Sequence, residues 1–171
     1  MGSRYDVAVF IGVSLADFEK AVADRYILGD RVDGPWREPD GVSVAGFAAG
    51  GRHGVVVASA PMKTPRGIDT RLAKRMGAIE GAFATVWDSV STYELTVVGA
   101  GVDRHLSVEA DLGDAQPGRY ASGQRLPEEP DGHHLDESVT QTVLIRRYGV
   151  NPAAVGRLGW EWRALVPAAG R

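Results

Sequence analysis

Apolar residues along this chain recur with two different periods, and the period predicts which element each stretch forms. A run rich in β-branched residues at 5–13 predicts a strand. Helical spacing follows it, at Leu15, Phe18, Val22 and Tyr26. This spacing predicts a helix over 15–27, with Ser14 and Asp17 placed as a capping box. Glycine, proline and charged residues at 29–41 then predict a loop.

Further along, two strand-like runs flank a pair of glycines. Residues 42–47 and 54–58 are rich in valine and alanine, and they predict a hairpin with a somewhat longer loop. The pair Thr64 and Pro65 resembles an N-cap followed by proline at the first helical position, where its missing amide donor costs nothing. We therefore expect a second helix that continues to about Met76.

Three strand-like runs at 83–87, 93–98 and 106–110 give the clearest β pattern. Alternate side chains of a strand point to opposite faces, so one face of each strand is expected to be buried and the other wet. The residues expected on the buried face are Tyr93, Leu95 and Val97 in the second run, and Leu106, Val108 and Ala110 in the third. The pattern predicts an antiparallel meander.

The last third of the chain is more polar. Residues 111–134 contain proline, glycine and acidic residues with little periodicity, which predicts a long acidic surface loop. Helical spacing returns over 135–148, with Gly149 at the position where helices often end in a left-handed residue. The segment 160–162 fits neither period. Together the elements predict one α+β domain over 1–171: an antiparallel sheet of about five or six strands with two or three helices packed on one face.

The composition narrows the classes of function. None of the 171 residues is cysteine, which excludes disulfides, thiolate metal sites and a cysteine nucleophile. The first residues lack the pattern of a signal peptide, and no apolar run approaches the length that spans a bilayer. We therefore expect a soluble, cytoplasmic protein without a membrane partner. A net charge of −3 argues against wholesale nucleic-acid binding, and no motif indicates a cofactor.

Two stretches carry a resemblance to a known family. The first runs from Val86 to Leu95 and on through Gly99, Ala100 and Gly101, and the second spans 147–152. With this order of elements, the chain resembles a family of uncharacterised actinobacterial proteins known only as a domain of unknown function. The resemblance implies a fold and a bacterial host, but no activity.

A basic patch at 63–75 is one candidate site. It comprises Lys63, Arg66, Arg71, Lys74 and Arg75, the last three at spacings that share one helix face. Such a patch suits a phosphate group. A solvated helix face is normally charged in the same way, and the sequence favours that interpretation. A concave pocket where the last three converge with a titratable residue would favour an enzyme instead.

Other candidate residues point to a protein partner or to a metal. Trp36 beside Arg37 in a glycine-proline loop is typical of an interface anchor, or of a side chain that covers the core edge. His133, His134 and Asp136 have ligand chemistry for a divalent metal, but their position favours acidic capping of the next helix. His105 and Ser107 share a strand face about 7 Å apart, too far for a nucleophile–base bond.

These observations favour a non-enzymatic bacterial binding or interaction protein, in its sharpest form an immunity-like or antitoxin-like protein. The expected partner is another protein, engaged through exposed aromatic and charged residues. The alternative is a small-molecule or phosphate-binding enzyme that uses the patch at 63–75. The sequence leaves the oligomeric state open.

Overall fold

Nine strands and three helices make up the described part of the chain in this computed structural model. The structure describes residues 4–35, 41–60, 64–87, 92–109, 118–131, 137–152, 154 and 159–169. The strands are β1 (Arg4–Ile11), β2 (Tyr26–Val32), β3 (Val42–Ala49), β4 (Arg52–Ser59), β5 (Glu80–Trp87), β6 (Thr92–Gly99), β7 (Val102–Glu109), β8 (Gly118–Ser122) and β9 (Trp162–Pro167). The helices are α1 (Leu15–Val22), α2 (Thr70–Met76) and α3 (Glu137–Tyr148). No helix of these described segments is long and apolar enough to cross a membrane.

The strands form one antiparallel sheet in the order β2-β9-β3-β4-β1-β5-β6-β7-β8. β1 lies at its centre and pairs with β4 on one side and β5 on the other. Residues 5–11 are buried without interruption, so both faces of the centre must be covered. The α+β class and the antiparallel pairing are confirmed, whereas the prediction of five or six strands was too small.

Helices cover both faces of the sheet, which corrects the prediction that all of them pack on one face. On one face, α3 packs over β5 and β6 through buried residues such as Val143 and Leu144. On the other, α1 packs on β4 and α2 on β5, through Phe18 and Leu72. The sequence pattern of β1 favours this arrangement, because its residues 7–11 are apolar at every position and leave no wet face there.

Helix α1 begins as predicted and ends early. The Ser14 hydroxyl accepts from the Asp17 amide at 3.1 Å, and the Asp17 carboxylate accepts from the Ser14 amide at 3.0 Å, which confirms the capping box. The helix ends at Val22, however, and Tyr26 is the first residue of β2. Tyr26 fits helical spacing after Val22 and also alternates with Leu28, so its place in the apolar pattern was ambiguous.

Helix α2 begins five residues later than predicted. Its N-cap is Asp69, whose carboxylate accepts from the amides of Arg71 and Leu72 at 3.0 and 3.1 Å. Thr64 does not cap a helix; its hydroxyl instead donates to the buried Asp6 carboxylate at 2.7 Å. An aspartate satisfies two free amides at once, which makes it the better cap here.

The meander and its turns match the prediction closely. Tyr93, Leu95 and Val97 are 8%, 0% and 0% exposed, while Glu94 is exposed, which confirms the buried face.

β3 and β4 are joined by only two residues, Gly50 and Gly51. Both have positive φ, as two-residue hairpins require, so the longer loop predicted there was wrong.

Three strands form in segments that were not predicted as strands. β2 occupies the end of the predicted first helix and the start of the predicted loop at 29–41, so the loop prediction is wrong for residues 29–32. Residues 118–122, within the segment predicted as an acidic loop, form β8 and pair with β7. Residues 162–167 form β9, which pairs with β2 and β3. Of the rest of the predicted loop, residues 123–131 are described, whereas residues 111–117 and 132–134 lie outside the described residues.

Residues 123–131 are fixed by an ion pair. Arg104 donates to both carboxylate oxygens of Glu129, at 2.8 and 2.9 Å, and both side chains are at most a tenth exposed. Burial alone would raise the pKa of Glu129, but hydrogen bonds from Arg104 and from the Leu126 amide outweigh it and lower the pKa. Close to this ion pair, the Leu126 side chain is buried in the core.

Candidate functional site

A cleft lined by four arginines lies beside the end of α1. Its walls come from the end of α1, the start of β2, the turn at 64–69 and one side of α2. The cavity has a volume of about 420 Å³. The four guanidinium side chains around it belong to Arg25, Arg66, Arg71 and Arg75. We call this cavity the basic cleft.

Local contacts hold the arginines at the cleft. Arg75 donates to the carbonyl of Ala21 at 2.7 Å, where the last turn of α1 leaves carbonyl groups free and favours positive charge. Arg25 lies against Gly67, where a Cβ would come within 2.6 Å of the Arg25 Nη1. Gly67 also has a φ of +89°, so the position suits glycine on two counts.

The turn that carries Arg66 is tied to the sheet. The Tyr26 hydroxyl donates to the carbonyl of Arg66 at 3.0 Å, and the Ile68 side chain is buried in the core under α1 and α2. The backbone of Arg66 is therefore fixed, while its side chain is exposed. A rigid backbone with a free guanidinium group is the arrangement that positions a charge without neutralising it.

The cleft carries an excess of positive charge. Asp24 lies 3.5 Å from Arg25, and both side chains are more than half exposed, so this pair is solvent-screened and weak. Asp69 uses its carboxylate to cap α2. Within the described residues, the guanidinium groups of Arg66 and Arg71 have no hydrogen-bond or ion-pair partner.

Lys74 does not belong to this cleft. It lines a separate cavity of about 390 Å³ on the other side of α2, with Thr70, Arg71 and a floor of Ala73, Ala78, Gly81, Val98 and Gly99. Arg71, Lys74 and Arg75, whose convergence on one pocket would favour an enzyme, therefore do not all line one cavity. Arg71 and Arg75 line the basic cleft, whereas Lys74 and Arg71 line the cavity with the small apolar floor.

Among the cleft residues that the sequence did not indicate as site residues are Asp24, Arg25 and Tyr26. They lie in the stretch that was expected to finish α1, about forty residues before the basic patch in the chain. Only the contact between α1 and α2 brings them to Arg66. No local spacing signals such a long-range meeting, since the chain closes on itself only in the folded sheet.

The other candidate residues lie outside the described residues. These are Trp36, Arg37 and Lys63, and the metal candidates His133, His134 and Asp136. Among the residues that the structure does describe, no group of three or more histidine and acidic side chains could hold a metal ion.

A second polar cluster is buried beneath the end of α3. Arg147 donates from Nε and Nη2 to the two carboxylate oxygens of Glu80, at 2.5 and 2.8 Å, and from Nη1 to Glu128. The Tyr148 hydroxyl also donates to Glu80. Burial and this carboxylate raise the pKa of Tyr148, and hydrogen bonding to Glu80 raises the pKa of Arg147. Glu80 is only 5% exposed, so this cluster clamps α3 to β5 and offers no surface to a ligand.

A third polar group lies on the outer face of β6 and β7. The Thr96 hydroxyl and the His105 Nδ1 are 2.7 Å apart across the two strands, and the Glu94 carboxylate lies 4.0 Å from the His105 Nε2. This hydroxyl, rather than Ser107, is the neighbour of the histidine. The Tyr120 ring packs on His105, with the ring centroids 5.5 Å apart.

The basic cleft therefore combines a cavity with an excess of positive charge from four arginines. Arginine side chains with free donors are suited to bind phosphate and carboxylate groups, because the planar fork presents two parallel N–H bonds. The cleft is exposed enough to be reached from solvent. Comparison of the chain with protein-family profiles, with curated proteins and with solved structures finds no match.

Proposed function

We propose that this chain is a non-enzymatic binding protein whose ligand carries a phosphate group, held in the basic cleft. The observation that supports the proposal is the convergence of four arginines on one cavity of about 420 Å³. Two of them, Arg66 and Arg71, have no partner among the described residues. A cleft lined by one sign of charge concentrates ligands of the opposite sign.

The charge balance favours phosphate over a single carboxylate. The lining has four arginines against Asp24 and Asp69, which leaves two positive charges uncompensated. A phosphate monoester carries roughly −1.5 to −2 at neutral pH and offers three acceptor oxygens. It can therefore compensate both charges, whereas a carboxylate compensates one and offers two oxygens.

The lining chemistry supports binding rather than catalysis. A reaction at the anion would need a nucleophile or a general base within hydrogen-bond distance. Of the titratable groups that line the cleft, Tyr26 donates its hydroxyl proton to a carbonyl, and Asp69 accepts two amide bonds. Asp24 lies beside Arg25. Tyr26 and Asp69 therefore already serve the local structure.

The direct test is calorimetry with inorganic phosphate. At an ionic strength of about 0.01 M, where screening is weak, the protein should bind phosphate, and at about 0.15 M the affinity should fall. The double variant Arg66→Ala/Arg71→Ala should bind at least about 100-fold more weakly, since each charge-assisted hydrogen bond lost costs about 1.5–3 kcal/mol. Both side chains are exposed, so the fold should remain intact.

The matched control is Lys20→Ala/Lys74→Ala. It removes the same charge from the surface, one residue from α1 and one from the opposite side of α2, outside the cleft. Phosphate affinity should stay within about threefold of the wild type, because general attraction is screened over about a Debye length. Equal losses in both double variants, or no binding by the wild type, would contradict the proposal.

A protein partner remains a second hypothesis for this chain. Trp36 and Arg37, on which it depends, lie outside the described residues, so the proposed immunity-like or antitoxin-like role stays a prediction. Its test is the Trp36→Ala variant, which should stay folded and lose partner affinity by about 2 kcal/mol or more if Trp36 is a central anchor. Unchanged affinity for a partner captured by the wild type would contradict that role for Trp36.

A further inference from the structure

A second cavity lies next to the basic cleft. It has a volume of about 620 Å³ and shares four wall residues with the cleft, namely Asp24, Arg25, Tyr26 and Arg66. Its other lining residues are Ala23, Pro167, Ala168 and Ala169. We call it the side chamber. The two cavities therefore lie side by side around the same four residues.

The side chamber differs from the cleft in its chemistry. Beyond the shared wall it adds only alanine and proline side chains, and so it adds no charge. Arg71 and Arg75 line the cleft but not the chamber. A second anionic group would therefore find no further cation there, whereas an uncharged group meets small side chains.

The shared wall supplies a hydrogen-bond acceptor to the chamber. The Asp24 side chain is 62% exposed and is held only by its 3.5 Å contact with Arg25. An exposed carboxylate accepts hydrogen bonds from neighbouring hydroxyl groups of a sugar, as in recognition of ribose hydroxyls by acidic residues. The Tyr26 ring beside it is partly buried and presents an apolar body.

The strands keep the chamber open. Ala168 donates its amide to the carbonyl of Arg25 at 2.8 Å, which fixes the end of β9 against the start of β2. The Tyr26 hydroxyl holds the turn at Arg66 on the opposite side. Cavities of drug-sized ligands span roughly 300–1,000 Å³, and a largely preformed cavity binds with less ordering cost.

We infer that the ligand is a phosphate ester of a hydroxyl-bearing ring, with its phosphate in the basic cleft and its ring in the side chamber. This inference rests on the proposed function. Sugar phosphates and nucleoside monophosphates share this chemistry. The phosphate pairs with the arginines, and the Asp24 carboxylate accepts from the hydroxyl groups of the ring.

The experiment compares four ligands by calorimetry on the whole chain: inorganic phosphate, butyl phosphate, glucose 6-phosphate and AMP. At least one hydroxyl-bearing ligand should bind about tenfold or more tightly than both inorganic phosphate and butyl phosphate, the gain of one or two hydrogen bonds to a charged group. Glucose 6-phosphate and AMP distinguish the two sources of the ring. Butyl phosphate shows how much of the gain is merely apolar contact.

Two variants assign that gain to the side chamber. Ala169→Trp should fill the chamber and reduce the preference for the ring to less than about threefold, while inorganic phosphate binds as before. Asp24→Asn should reduce the same preference, because the amide is a weaker acceptor. Ala16→Trp is the matched control, since Ala16 is exposed on α1 and lines neither cavity.

The outcomes separate the two proposals. If inorganic phosphate binds but the ring-bearing esters bind no more tightly, or if Ala169→Trp leaves their preference unchanged, the inference about the ring is overturned and the basic cleft stands. If butyl phosphate gains as much as the ring-bearing esters, recognition of hydroxyl groups is overturned. If none of the four ligands binds, the proposed function itself fails. Thermal unfolding of each variant shows whether it is folded.

Discussion

The ion pair between Glu80 and Arg147 gives a sharp test of how α3 is held to the sheet. The perturbation is a pair of single replacements, Glu80→Leu and Arg147→Met, together with the double variant. Glu80 is 5% exposed and the Arg147 side chain 13%. Both charges are thus removed from water, so the large magnitudes of buried pairs apply rather than the small ones of surface pairs.

The expected magnitudes follow from what each variant leaves behind. Glu80→Leu deprives Arg147 of two of its hydrogen bonds and Tyr148 of its acceptor. Arg147→Met leaves the Glu80 carboxylate buried with only the Tyr148 hydroxyl. Breaking a buried pair in this way costs about 3–5 kcal/mol. The double variant leaves neither charge buried, so we expect it to cost no more than either single variant.

Urea unfolding measures these costs as changes in the free energy of unfolding. The coupling between the two replacements should be at least about 3 kcal/mol, the upper end of the range for residues in direct contact. Asp131→Ala is the surface control: its carboxylate accepts from Arg125 at 2.7 Å but is 97% exposed, and its loss should cost less than about 1 kcal/mol. Single costs that simply add in the double variant would refute the view that the pair acts as one buried unit.

Three further predictions concern stability. The lowered pKa of Glu129 means that the unfolded chain binds more protons just below the ordinary value of 4.5, so stability should fall as the pH drops through that region; Glu129→Gln should flatten this fall in acid unfolding curves. Gly149→Ala should lower the free energy of unfolding by about 1–2 kcal/mol, because its φ of +70° is left-handed, and a variant as stable as the wild type would contradict the strain. Ser14→Ala should lower the free energy of unfolding by about 1 kcal/mol through loss of the N-cap, and urea unfolding measures this change.

The parts of the fold that the sequence predicted are those fixed by neighbours in the chain. The capping box of Ser14 and Asp17 spans three residues, and the end of α3 at Gly149 is set by bonds from Gly149 and Val150 back to Ile145 and Leu144. The meander β5–β7 has short turns, so its alternation was visible directly. Each of these features is decided by local backbone chemistry.

The parts that were missed depend on distant partners. β2 becomes a strand because β9 pairs with it, although the two lie more than a hundred residues apart in the chain. β8 likewise depends on the free edge of β7 rather than on its own apolar pattern. The basic cleft also depends on partners that are distant in the chain, since Arg25 and Arg66 come together only in the folded protein. Tertiary contacts override local preference at such places.

The position of β9 has a consequence for how the protein is made. β9 is the ninth described strand in chain order, yet it lies second in the sheet and separates β2 from β3. While the ribosome is still synthesising earlier residues, β2 has no partner and β3 presents a bare edge, which is the surface through which strands pair with other chains. The pairing of β9 with β2 and β3 must therefore wait until residues 162–167 have been synthesised, and it closes a long loop, which topology makes slow. A translation pause before 162–167 would prolong this vulnerable state, and a chaperone that covers the β3 edge would protect it.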